Sequence, residues 1–249
     1  SRSVSILISR SMIKMTNVVV WNQKLKASKK NCPRRCVNRL HVAISEMTNI
    51  KDRIDYIRLR IDEAAKKSGR ALKDITLVAV TKNAPVVAIL EAKAAGIEIF
   101  AENRIQDAQE KVPQVPGHWQ LIGHLQSNKI KPALEMFELF QSIDSVKLAE
   151  KVQEELLIQN RNLPVLLEVN VSGESQKHGF QPDDVYRAVE AIGAMTQIQI
   201  VGLMGIAPNT PDIQLRRQAF KKLKGTFVVL KGLKNERLKM QTLSMGMSD

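Results

Sequence analysis

The feature that most constrains this chain is a succession of short, nearly all-apolar segments alternating with helix-like ones from Ile50 onward. Ile50, Ile54, Ile57, Ile61 and Ala64 fall at spacings of four, three, four and three, one face of an amphipathic helix that Gly69 can stop. Strands are predicted at residues 76–80, 97–101, 120–122, 139–143, 165–171 and 198–203, and a seventh begins at 242–244. Pro85 suits the first turn of a helix through Ala95, with Gly96 ending it. Asp144 or Ser145 caps a helix to about Gln159 that buries Val146, Ala149, Val152 and Leu156. Pro182 opens another to about Met195, and a long basic helix follows, broken or frayed near Gly225 and Gly232.

Strands apolar on both faces, each followed by a helix, predict a parallel sheet covered by helices. Seven of them point to an α/β fold of the TIM-type (β/α) barrel kind. No glycine-rich loop follows the first strand, which weakens the open dinucleotide-binding sheet. In a barrel, functional groups gather at the carboxyl ends of strands. Lys82, Glu102, Asn103, Arg104, His124, Asn170, Ser172 and Ser244 all fall there. Glu168 and Asn170 share one strand phase and Val169 the other; the pattern leaves open which phase faces the barrel. Glu174, Lys177 and His178 read as a polar loop beside the site. With strands ending just before Asp249, the barrel is expected to be truncated before its eighth strand, exposing edges on the first and seventh.

The chain has 249 residues, 44% of them hydrophobic, which suits one globular domain with a sizeable core. Its net charge of +13 suggests a nucleic-acid partner until it is located. Residues 1–46 hold ten Lys/Arg against the single acid Glu46, so they carry nine of those charges and leave only +4 for the rest. No nucleic-acid partner is expected. No run reaches the roughly 18 apolar residues of a membrane span, so no membrane is expected either. Cys32 and Cys36 stand alone, which excludes a disulfide framework and fits a reducing, cytoplasmic setting. With His41 they make half a metal site, and free thiols are the reading taken, so no metal is expected. Residues 1–46 are read as a basic, disordered extension and 47–249 as the barrel, with mitochondrial targeting by 1–46 as the minority reading.

Lys82 is the sharpest chemical candidate, because a strand-end lysine in a partly apolar pocket supplies neutral amine that can condense with an aldehyde. The segment Val78-Ala79-Val80-Thr81-Lys82 resembles the cofactor-lysine segment of the pyridoxal phosphate homeostasis family. Four further blocks match that family in order: Phe100 to Gln106, His118 to Lys129, Val169 to Phe180, and Gly202-Leu203-Met204 followed by Leu243 to Asp249. The resemblance implies a barrel like the alanine racemase N-terminal domain, with pyridoxal 5'-phosphate (PLP) as a Schiff base on Lys82. It also implies that Ser244, Met245 and Gly246 lie near the cofactor phosphate, where barrels place phosphates after strands seven and eight. Asn103 and His124 are the other candidate cofactor contacts, each weighed against a turn-stabilising or hydrogen-bonded structural role. The sequence departs from the family pattern in lacking the final strand with its Arg-x-Gly segment, which is expected to weaken cofactor retention.

The function implied is a PLP-binding homeostasis protein without turnover, acting as a monomer and passing cofactor to PLP-dependent apo-enzymes. The alternative is a PLP-dependent racemase or decarboxylase, which needs an opposing acid or base and, in similar enzymes, an extra domain.

Overall fold

The structure is a computed structural model that describes residues 3–9, 49–174, 178–233 and 235–246. Eight parallel strands close a barrel: β1 (Ser3–Ser9), β2 (Ile75–Val80), β3 (Ile99–Glu102), β4 (His118–Leu121), β5 (Leu139–Ile143), β6 (Leu163–Glu168), β7 (Ile198–Gly205) and β8 (Leu238–Met245). The helices are α1 (Ile50–Lys67), α2 (Val86–Ala94), α3 (Ile105–Lys111), α4 (Ile130–Met136), α5 (Val146–Ile158), α6 (Val185–Gly193) and α7 (Ile213–Lys231). The TIM-type barrel read from the alternating pattern is the fold, and the stretch from Ile75 to Met245 supplies seven of its strands.

The eighth position is filled from the other end of the chain. Ser3–Ser9 lies between β2 and β8, pairing Val4 with Ile75 and Ser9 with Val80 on one side, and Ser3 with Thr242 and Ser5 with Ser244 on the other. The expectation that residues 1–46 add no structure is therefore corrected at Ser3–Ser9. The physical reason is local: Ser-Val-Ser-Ile-Leu-Ile-Ser carries the apolar, β-branched character of a barrel strand inside a segment that is basic on average. The edges expected on the first and seventh strands are both paired. The rest of that segment, with Cys32, Cys36 and His41, lies outside the described residues.

The helices form as their patterns dictate. Asn49 caps α1, its side chain accepting from the Asp52 N–H at 2.8 Å, and Ile54, Ile57, Ile61 and Ala65 are buried, Ala65 taking the place expected for Ala64. Ser145 caps α5 by accepting from the Leu148 N–H, and Leu148, Ala149, Val152 and Leu156 face inward while Val146 is only partly buried. Pro85 sits at the cap before α2 rather than within it. The long basic helix α7 runs unbroken through Gly225 and stops at Gly232; a Cβ at Gly225 would meet nothing within 4 Å, so open space rather than a break accommodates that glycine.

Two apolar cores result. The larger lies between barrel wall and helices and includes Ala79, Phe100, Trp119, Phe140, Leu167 and Leu203. The smaller one, Val78, Val80 and Ala101 with Ile99 and Ile122 against it, belongs to the opposite phase of the same strands and fills the barrel interior. That division fixes which strand-end residues point into the mouth.

Candidate functional site

Lys82 follows Val78 and Val80 in the interior phase, and Asn103 follows Ile99 and Ala101 in the same phase. Both therefore emerge at the mouth on neighbouring strands β2 and β3. Lys82 occupies the second position of a tight turn that the Ala84 N–H closes on the Thr81 carbonyl at 2.9 Å. Asn83 holds the left-handed conformation that the third position of such a turn needs, with φ of 58°. The Lys82 side chain is partly exposed and its ammonium has no hydrogen bond or ion pair among the described residues.

Asn103 is pinned from two sides. Its N–H donates to Glu102 Oε2 at 3.2 Å, and Gly123 packs against its backbone so closely that a Cβ there would lie 2.1 Å from the Asn103 carbonyl oxygen. Its side-chain Oδ1 is buried and has no hydrogen-bond partner. A buried amide oxygen without a donor is costly in a finished interior. At a barrel mouth it suits a ligand that brings a donor.

Behind these two residues lies a buried ion pair that the strand pattern did not reveal. Glu102 Oε1 accepts from Lys111 Nζ at 2.5 Å and from the Thr81 hydroxyl at 2.7 Å. Lys111 Nζ also donates to the Thr81 carbonyl at 2.9 Å. Glu102 is fully buried and the Lys111 side chain is 7% exposed. No sequence signal marks Lys111, since a lysine in the last turn of a helix is ordinarily solvated.

The other expected residues sit as follows. Ser244 is buried within the barrel and donates to Gln141 Oε1 at 2.7 Å, and Gln141 in turn donates to Gln120, a polar chain from β8 through β5 to β4. Met245 turns the opposite way and packs on the wall–helix core, while Gly246 follows the strand end. His124 stands exposed on the rim with Nδ1 2.6 Å from Asp144 Oδ2 and its ring stacked 4.0 Å from that of His178. The donor atoms of His124, Asp144 and His178 lie within 4.8 Å of one another, yet the rings are only 13° from parallel. Near-parallel rings direct their in-plane lone pairs side by side, not to one point, so the three form a carboxylate-anchored histidine stack. Glu168 takes the interior phase, opposite Leu167 and Val169 in the outer core, which settles the choice left open with Asn170. Burial, and secondarily the charge of Asp144, pushes its carboxyl up to about 7. Asn170 instead ties the following loop, donating to the Glu174 carbonyl at 2.8 Å and accepting from Ser172. Lys177 lies outside the described residues.

The family profile of the alanine racemase N-terminal domain matches residues 54–249. Pyridoxal phosphate homeostasis proteins of Vibrio cholerae and Pseudomonas aeruginosa are 36% and 37% identical to this chain, covering 81% and 82% of it and 87% of their own lengths. The chain belongs to the pyridoxal phosphate homeostasis family. Among solved structures, PipY of Synechococcus elongatus with PLP bound superposes with a TM-score of 0.62 at 27% identity, covering 75% of this chain and 97% of its own. A Clostridium difficile alanine racemase, 12% identical with a TM-score of 0.57 over 77% of this chain and 54% of its own, shows the shared barrel alone. Within the family, then, the residues at this mouth are those to be weighed for cofactor contact. Among the described residues, no helix is long and apolar enough to cross a membrane.

Proposed function

We propose that this chain binds PLP at the barrel mouth and holds it as a Schiff base on Lys82, serving cofactor homeostasis without turnover of a substrate. The observation that carries the reading is the pairing of an unpartnered, interior-phase amine, Lys82, with a buried, unpartnered amide oxygen, Asn103 Oδ1. The neutral Lys82 amine adds to the aldehyde carbon; a C=N bond replaces the C=O bond and one water leaves. Asn103 orients the bound group, and Ser244 with Gly246 lies where a phosphate is received at the end of β8. The family's name and the PLP-bound PipY support the cofactor assignment. In this reading the protein works as a cytoplasmic monomer and yields its cofactor to PLP-dependent apo-enzymes.

Borohydride reduction of the PLP-incubated protein, followed by peptide mass mapping, tests it. A pyridoxyl adduct on Lys82 is expected; an adduct only elsewhere, or none, overturns the assignment.

One observation favours a second reading. Glu168 offers an acid that titrates near neutrality at the mouth, which a racemase or decarboxylase requires. Incubation of PLP-loaded protein with alanine, serine or ornithine separates the two: no racemisation and no carbon dioxide release is the outcome expected of the homeostasis role.

A further inference from the structure

We propose that Lys111 and Glu102 are positioning residues for the cofactor amine, a buried clamp that sets the Lys82 turn and the Asn103 backbone together. The inference rests on the Lys82 assignment above and concerns how this chain presents that residue.

One carboxylate reaches both halves of the candidate site. Glu102 Oε1 holds the Thr81 hydroxyl, one residue before Lys82, and Oε2 accepts from the N–H of Asn103 itself. Lys111 completes the clamp by donating to the Thr81 carbonyl, the same oxygen on which the Lys82 turn closes. Both faces of that carbonyl are thereby occupied, and the turn cannot pivot without breaking a charge-assisted bond.

Packing does not do this job. Thr81 lines a cavity of about 160 Å³ between β2, α1 and α2, walled by Ala79, Ala88, Ile89 and Phe100. Space on that side leaves the turn free to shift unless hydrogen bonds hold it. Nor is the pair an economical source of stability. Buried ion pairs commonly contribute no more than apolar replacements of similar volume, while removing one partner is strongly destabilising. A buried pair aimed at a backbone carbonyl beside the site is better accounted for by geometry.

The test uses the full chain with Lys111→Met, Lys111→Arg and the double variant Glu102→Gln/Lys111→Met. Three quantities are read: the urea midpoint, total PLP retained on ultrafiltration, and PLP trapped on Lys82 by borohydride at fixed concentration. The double variant leaves no unpaired buried charge, so its midpoint should return toward wild type. Its trapped fraction should stay depressed by roughly tenfold, the scale of one charge-assisted hydrogen bond. Lys111→Arg, which keeps a donor, should recover part of the trapping. A double variant that traps like wild type overturns the clamp while leaving the Lys82 assignment standing. A wild type that shows no adduct on Lys82 overturns both.

Discussion

Glu168 gives this protein a pH-dependent stability whose sign is fixed by its surroundings. Its carboxyl titrates at about 7 in the folded chain against an ordinary value of 4.5, with burial the main cause and Asp144 the secondary one. A raised carboxyl pKa means that the folded state binds the proton more tightly than the unfolded state does. Between pH 4.5 and 7 the folded chain therefore carries more protons, and unfolding free energy falls as pH rises. The gap between those two values is worth roughly 3 kcal/mol at 1.36 kcal/mol per pH decade, a ceiling for a side chain that is mostly but not wholly enclosed. Glu168→Gln removes the titration and keeps the shape. Its stability relative to wild type should be unchanged near pH 4, climb through pH 5 and 6, and level off above about pH 7.5 at a gain of up to roughly 3 kcal/mol. Urea unfolding at pH 4, 6 and 8 measures this directly. Two denaturation series that run parallel across that range would refute the argument, since they would show that Glu168 ionises alike in both states.

Three other outcomes follow from the same coordinates. Deleting residues 1–46 strips the strand that pairs with both β2 and β8, and thermal unfolding should begin at least about 6 °C lower, the shift that some 3 kcal/mol produces in a chain of this size; an unchanged midpoint would mean that β1 contributes nothing to closure. Gly123→Ala forces the β4 end away from Asn103, whose carbonyl oxygen would lie 2.1 Å from the new Cβ, and should cut the PLP trapped by borohydride more than it lowers the urea midpoint. Phe140→Ala, at a fully buried ring set edge-on to Phe137, should cost about 3–5 kcal/mol in urea unfolding with no preferential loss of cofactor.

The fold was legible because barrel strands advertise themselves. Residues apolar on both faces, such as Leu163 to Leu167 and Leu139 to Ile143, admit few alternatives to a parallel sheet under helices. What escaped was short or diluted. The helices α3 and α4 each hold seven residues, too few for a period to declare itself, and α4 carries Pro132 in its first turn, where a proline is tolerated. Ser3–Ser9 escaped because forty basic and polar residues around it set the average by which the segment was judged.

The site divides along a different line. Lys82 and Asn103 could be read from their positions because the mouth collects whatever follows an interior-phase strand residue. Thr81 and Glu102 precede them in the opposite phase, which alternation assigns to the helix side, and the structure puts them there. Alternation says only that such residues face helices, not what they meet. The partner, Lys111, comes from α3, a helix invisible in the pattern, and its ammonium is buried where a helix-terminal lysine would by habit be solvated. A polar residue in the outward phase at a strand end is itself the missed signal. Between wall and helices an uncompensated carboxylate cannot persist, so Glu102 required a buried cation nearby, and the lysine one short helix away was available to supply it.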